Sequence, residues 1–111
     1  MNHKQVWVRV NTQVDEKIKP LIEAMSLFAK LRTIESCQGE PAWVCFSYGD
    51  SWNELADFVC GYFGKRLMEK FGDRVSVSIH IEENRIQGEL NIRPGMITAT
   101  TADIKQLART Y

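Results

Sequence analysis

Arg74-Val75-Ser76-Val77-Ser78-Ile79-His80-Ile81-Glu82-Glu83-Asn84-Arg85-Ile86-Gln87-Gly88-Glu89-Leu90-Asn91-Ile92-Arg93 is the stretch on which the fold class turns. Val75, Val77, Ile79 and Ile81 are apolar, whereas Arg74, Ser76, Ser78, His80 and Glu82 between them are polar. Successive side chains of a strand point to opposite faces, so this alternation marks a strand with one face in a core and the other in water. Ile86, Leu90 and Ile92 repeat the pattern. Asparagine tolerates a left-handed backbone, so Glu83-Asn84 reads as the tight turn of a hairpin whose arms are 74–82 and 86–93. Such a hairpin belongs to an antiparallel sheet covered on one face.

Downstream, Pro94-Gly95 breaks the second arm. Thr100-Thr101-Ala102-Asp103 then has the form of a capping box that opens a short terminal helix, with Ile104, Leu107, Ala108 and Tyr111 inward. Upstream, Ser51-Trp52-Asn53-Glu54 is another capping box, and Trp52, Leu55, Ala56, Val59, Phe63 and Leu67 follow at helical spacing until Phe71-Gly72. Gly61 and Gly64 lie inside this helix at about 1 kcal/mol each against alanine, which points to a close backbone approach or a kink.

Residues 42–48 and 33–37 read as two strands joined by the turn Gln38-Gly39-Glu40-Pro41. Ile18, Leu21, Ile22, Met25, Phe28 and Ala29 form the apolar face of a first helix, and Pro20 suits its first turn, so the helix begins near Lys19. Val6, Val8 and Val10 alternate with Trp7, Arg9 and Asn11 as an opening strand. The order β-α-β-β-α-β-β-α predicts one α+β domain over 1–111. It is a two-layer sandwich with two helices on one face of a mostly antiparallel sheet of about five strands. The last helix extends that layer, covers the other face or docks on a partner chain.

The chain has 111 residues, 44% hydrophobic and 25% charged, enough for one domain with its own core. Acids and bases balance at 14 each, so no basic excess favours nucleic acid. The longest apolar run, 42–46, is too short for a membrane span, and the N-terminus shows no secretory pattern. A cytoplasmic protein is expected. Its 3 cysteines, an odd number without a CxxC pair, argue against a disulfide framework and a cysteine-built zinc site. No HxH, HExxH or phosphate-loop motif occurs, so neither a metal nor a cofactor is indicated.

Two regions could carry chemistry. The first is the loop Glu35-Ser36-Cys37-Gln38-Gly39-Glu40, where Cys37 would be a nucleophile, Glu35 or His80 its base, and Ser36 or backbone N–H groups the oxyanion donors. The bland alternative is a hairpin turn beside a small, partly buried cysteine. The second is the polar sheet face carrying Trp7, Arg9, Asn11, Ser76, Ser78, His80, Gln87, Glu89, Asn91 and Arg93. It could bind a small anionic or planar ligand or a protein, with Trp7 and Arg9 as contacts, or be an ordinary solvated face. Cys45 and Cys60 read as packing residues, and Asp50-Ser51 as a helix cap.

Thr33, Ser36, Cys37 and Gly39 give this loop a Ser-Cys-x-Gly turn that resembles the Ser-Cys-Ser-Gly motif of the tRNA wybutosine-synthesis methyltransferase family. Gln38 replaces the second serine, and Glu40 stands where that family tends to carry a basic residue. Members use S-adenosylmethionine to methylate a modified guanosine in tRNA. The resemblance implies a shared loop architecture and not the activity; Ser36, Gly39 and Glu40 are the loop's own candidate ligand- or partner-binding positions. In overall character the chain resembles the small proteins of bacteria or phage.

The expectation is a small binding domain without catalysis, engaging a ligand, a protein partner or a second copy of itself. The alternative is a cysteine-centred enzyme, or a nucleotide or S-adenosylmethionine binder, using Ser36-Cys37-Gln38-Gly39.

Overall fold

The computed structural model describes residues 5–7, 13–15, 18–37, 39 and 41–111. A helix, α1, spans Lys19–Met25, with Pro20 in its first turn. A hairpin follows, β3 (Leu31–Cys37) and β4 (Ala42–Tyr48). Then come α2 (Trp52–Phe58), one π-helical turn (Val59–Phe63) and α3 (Gly64–Phe71). The hairpin β5 (Val75–Glu82) and β6 (Arg85–Ile92) precedes α4 (Ile97–Thr110). Ahead of these, β1 (Gln5–Trp7) pairs antiparallel with β2 (Gln13–Asp15).

The α+β class and the antiparallel sheet are as the alternation predicts, but the strand count is corrected. The main sheet has four strands in the order β3-β4-β6-β5, and β1 and β2 form a separate two-stranded ribbon. Alternation identifies a strand without identifying its partner, and Gln13-Val14-Asp15 carries no periodic signal that the opening strand would fold back onto it.

The helical layer also holds more than two helices. α4 packs against α1 and α3 on the covered face, so it extends that layer. Ile104 joins Val44, Phe46, Leu90 and Ile92 in a single core. Phe46, Phe58 and Phe63 are at most 1% exposed, each contributing about 1.5–3 kcal/mol by burial. Their rings meet edge-on or stacked, with Phe58 stacked 3.9 Å from Tyr48. Gly88 lies beneath the Phe46 ring, where an added Cβ would come within 2.5 Å of Cζ.

Local chemistry explains the boundaries. Glu83 and Asn84 take φ of 48° and 67°, the left-handed pair a two-residue hairpin turn requires. Ser51 Oγ accepts from the Glu54 N–H at 3.2 Å, as an N-cap should. The Glu54 carboxylate does not reach back to close the box; it accepts from Lys30 Nζ at 3.1 Å. Inside the long helix, the Gly64 N–H donates to the Val59 carbonyl five residues back, which makes the π turn. A Cβ on Gly64 would lie 2.6 Å from that carbonyl and 3.1 Å from Val77 Cβ. Gly64 therefore permits both the widened turn and the close approach of β5.

Several residue-level expectations are corrected. The first helix ends at Met25, where Ser26 Oγ donates back to the Ile22 carbonyl at 2.8 Å. Phe28 is buried from the following turn, and Ala29 is exposed. Trp52 is 51% exposed and Ile81 77% exposed, each beyond the edge of the covered surface. Cys60 is exposed, on the outer side of the π turn. The Thr100-Asp103 capping box lies within α4. Thr100 Oγ1 donates to the Met96 carbonyl at 2.6 Å, and Asp103 pairs with Lys70 across 2.6 Å. Among the described residues no helix is long and apolar enough to cross a membrane.

Candidate functional site

Strand register determines which candidate residues share a surface. On the face away from the helices, one rung runs Cys37, Trp43, Asn91, Ser76 across the four strands. The next runs Glu35, Cys45, Glu89, Ser78, and Gln87 and His80 form the outer pair beyond it. Cys37 and His80 therefore occupy one face but opposite corners. Three inter-strand steps separate them by about 14 Å across the sheet, and four residues by about 13 Å along it. Glu35 stands beside Cys37, one rung away on the same strand. Ser36 pairs with Val44, so it turns to the face opposite Cys37. β3 continues through Cys37, and strand alternation splits the serine from the cysteine. Gly39 lies next to this strand end, its Cβ position 3.5 Å from Cys37 Sγ. Gln38, Glu40 and Arg9 lie outside the described residues, as does the side chain of Trp7.

His80 finds different partners. Its Nε2 is 2.8 Å from Ser78 Oγ and 3.4 Å from Glu89 Oε2. Asn91 Nδ2 donates to the same Glu89 oxygen at 3.0 Å, and Cys45 Sγ donates to Glu89 Oε1 at 3.7 Å. Glu89 is thus the hub of a polar cluster at mid-sheet. Burial pushes the Cys45 thiol up to about 12, and the Glu89 charge beside it adds to the effect. A thiol that keeps its proton is a poor nucleophile, so the Glu89 cluster does not activate Cys45. Gln87, expected on an open polar face, is 2% exposed. Its Nε2 donates to Glu82 Oε2 at 3.3 Å, while its Oε1 finds no partner among the described residues. No group of three histidine, cysteine or acidic side chains among the described residues is disposed to hold a metal.

At the Cys37 end of this face, the sheet edge carries a second arrangement. Arg74 Nε donates to the Phe71 carbonyl at 3.0 Å and Arg93 Nε to the Asp73 carbonyl at 3.2 Å. The Arg93 N–H donates to the Arg74 carbonyl at 3.0 Å, tying the two chain segments together. Both arginines line one cavity of about 220 Å³ with Ser76, Asn91, Asp73 and Pro41. Each guanidinium is anchored through Nε, which restricts its orientation and leaves its terminal amino groups outside that bond. Pro41, which follows the 35–40 segment in sequence, lines the arginine-lined cavity.

The His80–Glu89 approach was within reach of the sequence. A turn at Glu83-Asn84 sets His80 opposite Gln87 and Ser78 opposite Glu89, which makes His80 and Glu89 diagonal neighbours. The Cys45–Glu89 and Pro41–Arg93 neighbourhoods depend on the non-sequential β4–β6 pairing, for which no local signal exists. Compared with protein-family models, curated proteins and solved structures, the chain matches none.

Proposed function

We propose that this chain is a binding domain without catalysis that takes a small oxyanion, or the carboxylate or phosphate end of a larger molecule, at the arginine-lined end of its polar sheet face. The observation that carries this reading is the anchoring of Arg74 and Arg93 through Nε to backbone carbonyls while both line one cavity. Prior orientation lowers the entropy lost when a planar guanidinium meets an oxyanion. The volume of about 220 Å³ is below the range of about 300–1,000 Å³ usual for drug-sized ligands, so the cavity suits a group the size of phosphate. Ser76 and Asn91 add neutral hydrogen-bonding groups at the wall. Asp73 adds one negative charge against two positive, which favours an ion of low charge.

Two placements among the described residues support the non-catalytic part of the proposal. Cys37 and His80 lie at opposite corners, and the Cys45 thiol beside Glu89 holds its proton. Three free cysteines support a reducing compartment, so the cytoplasm remains the proposed location.

Calorimetric titration with inorganic phosphate tests the reading. Loss of one charge-assisted hydrogen bond weakens binding by roughly tenfold or more, so Arg74→Gln and Arg93→Gln should each do so. Raised sodium chloride should weaken it further. Phosphate binding that is equal in both variants and the parent, with circular dichroism confirming the fold, overturns the site.

A further inference from the structure

The helical layer carries a larger cavity, far in character from the sheet face. It measures about 510 Å³ and runs along the seam of α1 and α4, lined by Pro20, Ile97, Ala102, Thr101, Lys105 and Arg109 among others. Ile97, Thr101, Lys105 and Arg109 recur every fourth residue, so they form one stripe on α4. The stripe is graded. Ile97 with Ala102 makes an apolar end, Lys105 with Arg109 makes a cationic end, and Pro20 faces them from α1. Eight residues of helix separate Ile97 from Lys105, about 12 Å along the axis. A neighbouring cavity of about 290 Å³ shares Pro20 and Lys105 and adds Leu27, which is 50% exposed.

Two observations point to a ligand. First, Lys105 and Arg109 make no ion pair among the described residues, although Glu23 lines the neighbouring cavity; the pairs formed are Lys30–Glu54, Lys70–Asp103 and His80–Glu89. Second, Thr101 is only 7% exposed and its hydroxyl has no hydrogen-bond partner among the described residues. Its neighbour Thr100 satisfies its own hydroxyl on the Met96 carbonyl at 2.6 Å. A buried hydroxyl without a partner costs about 1–3 kcal/mol, a cost that an acceptor brought to Thr101 would remove.

We propose that the α1–α4 cavity binds an amphiphilic anion, an acidic head held by Lys105, Arg109 and Thr101 with an apolar tail lying over Ala102 and Ile97. The volume lies within the range of about 300–1,000 Å³ in which small-molecule pockets fall. The one-ended placement of charge selects a ligand polar at one end only. Neither an inorganic ion nor a neutral chain satisfies both ends.

Titration of the full chain with decanoate, decanol and inorganic phosphate tests this. Decanoate should bind at least tenfold more tightly to the cavity than decanol. Lys105→Gln and Arg109→Gln should each weaken decanoate by about tenfold, the value of one charge-assisted hydrogen bond. In an Arg74→Gln background, where the sheet-end site is weakened, Lys105→Gln should still lower decanoate affinity about tenfold, so the two sites fail or succeed separately. Thr101→Val supplies a readout independent of charge. It should weaken decanoate binding and leave the ligand-free melting temperature unchanged or raised, because it removes an unpartnered hydroxyl. Equal binding of decanoate and decanol overturns the proposal. So does decanoate binding indifferent to Lys105 and Arg109, no decanoate binding up to millimolar concentration, or a Thr101→Val protein that melts lower.

Discussion

Cys45 Sγ lies 3.7 Å from Glu89 Oε1 across the β4–β6 pair, and the thiol donates to the carboxylate. This contact suppresses the chemistry of the thiol that shares Glu89 with His80. Burial first, and the Glu89 charge second, push the Cys45 thiol from 9.0 up to about 12. Thiolate is the reactive form. At pH 8, iodoacetamide should therefore modify exposed Cys60 readily and leave Cys45 untouched while the chain is folded. Glu89→Gln should speed labelling of Cys45 only modestly, because burial is the larger cause. Peptide mass spectrometry over a labelling time course reads this directly, and Cys45 labelling at the rate of Cys60 would contradict it.

The same raised value makes stability depend on alkaline pH. Below about pH 9 the thiol is protonated in both folded and unfolded chains, and its contribution is fully present. Between about 9 and 12 the unfolded chain releases a proton that the folded chain keeps, so stability falls as pH rises. Tyr48 acts in the same direction. Burial, followed by its hydrogen bond with Tyr111 at 3.0 Å, pushes its hydroxyl up from 10.0. The urea midpoint should be level from pH 7 to 8.5 and decline by pH 10.5, with a shallower decline in Cys45→Ala. A level midpoint to pH 10.5 would show that neither group stays protonated in the fold.

Gly61 and Gly64 carry the same residue type three positions apart, and they predict opposite outcomes. An added Cβ at Gly61 meets nothing within 4 Å, whereas at Gly64 it meets the Val59 carbonyl at 2.6 Å. Gly61→Ala should stabilise by up to about 1 kcal/mol through helix propensity. Gly64→Ala should destabilise by about 1–3 kcal/mol, because the carbonyl that accepts the π-turn hydrogen bond has to move. Urea denaturation of the two variants decides this, and equal midpoints would remove the steric account of the π turn.

The sequence reveals most where one element carries both its boundary and its period. The 74–93 hairpin, the strand 42–48 and the Ser51 cap follow from residues within them, since alternation, a left-handed asparagine and a capping hydroxyl all act locally. Gly61 and Gly64 read together as a close approach or a kink, and only Gly64 makes a close approach, to Val77 of β5. What stays hidden depends on pairing at a distance. The ribbon of β1 and β2 required a partner strand with no periodic pattern. The exposure of Cys60 follows from its place one residue past Val59, off the stripe of Leu55, Val59 and Phe63. For the candidate site, Cys37 and His80 were separately visible, but their separation depends on the strand order β3-β4-β6-β5. Arg93 was visible as a polar-face residue, but its grouping with Arg74 and Pro41 was not. The 97–109 stripe on α4 escaped notice because a capping-box reading placed the helix start at Thr100.

Gln87 supplies the last test, because its burial runs against its chemistry. The side chain is 2% exposed, its amide nitrogen reaches Glu82 at 3.3 Å, and its amide oxygen has no partner among the described residues. A buried carbonyl without a donor costs about 1–3 kcal/mol, whereas Glu82 is exposed and water can replace the bond it would lose. Methionine has a similar length, no amide and enough flexibility to fill the same space. Gln87→Met should therefore be neutral or stabilise by up to about 1 kcal/mol, measured as the urea midpoint at neutral pH. A loss of more than about 1.5 kcal/mol would mean that the amide oxygen is satisfied in the folded chain, and the polar face would then be closed around Gln87 by a hydrogen bond. A neutral or positive result leaves Gln87 as a polar group kept at a cost to stability, which is the pattern expected of a surface that meets a ligand or partner.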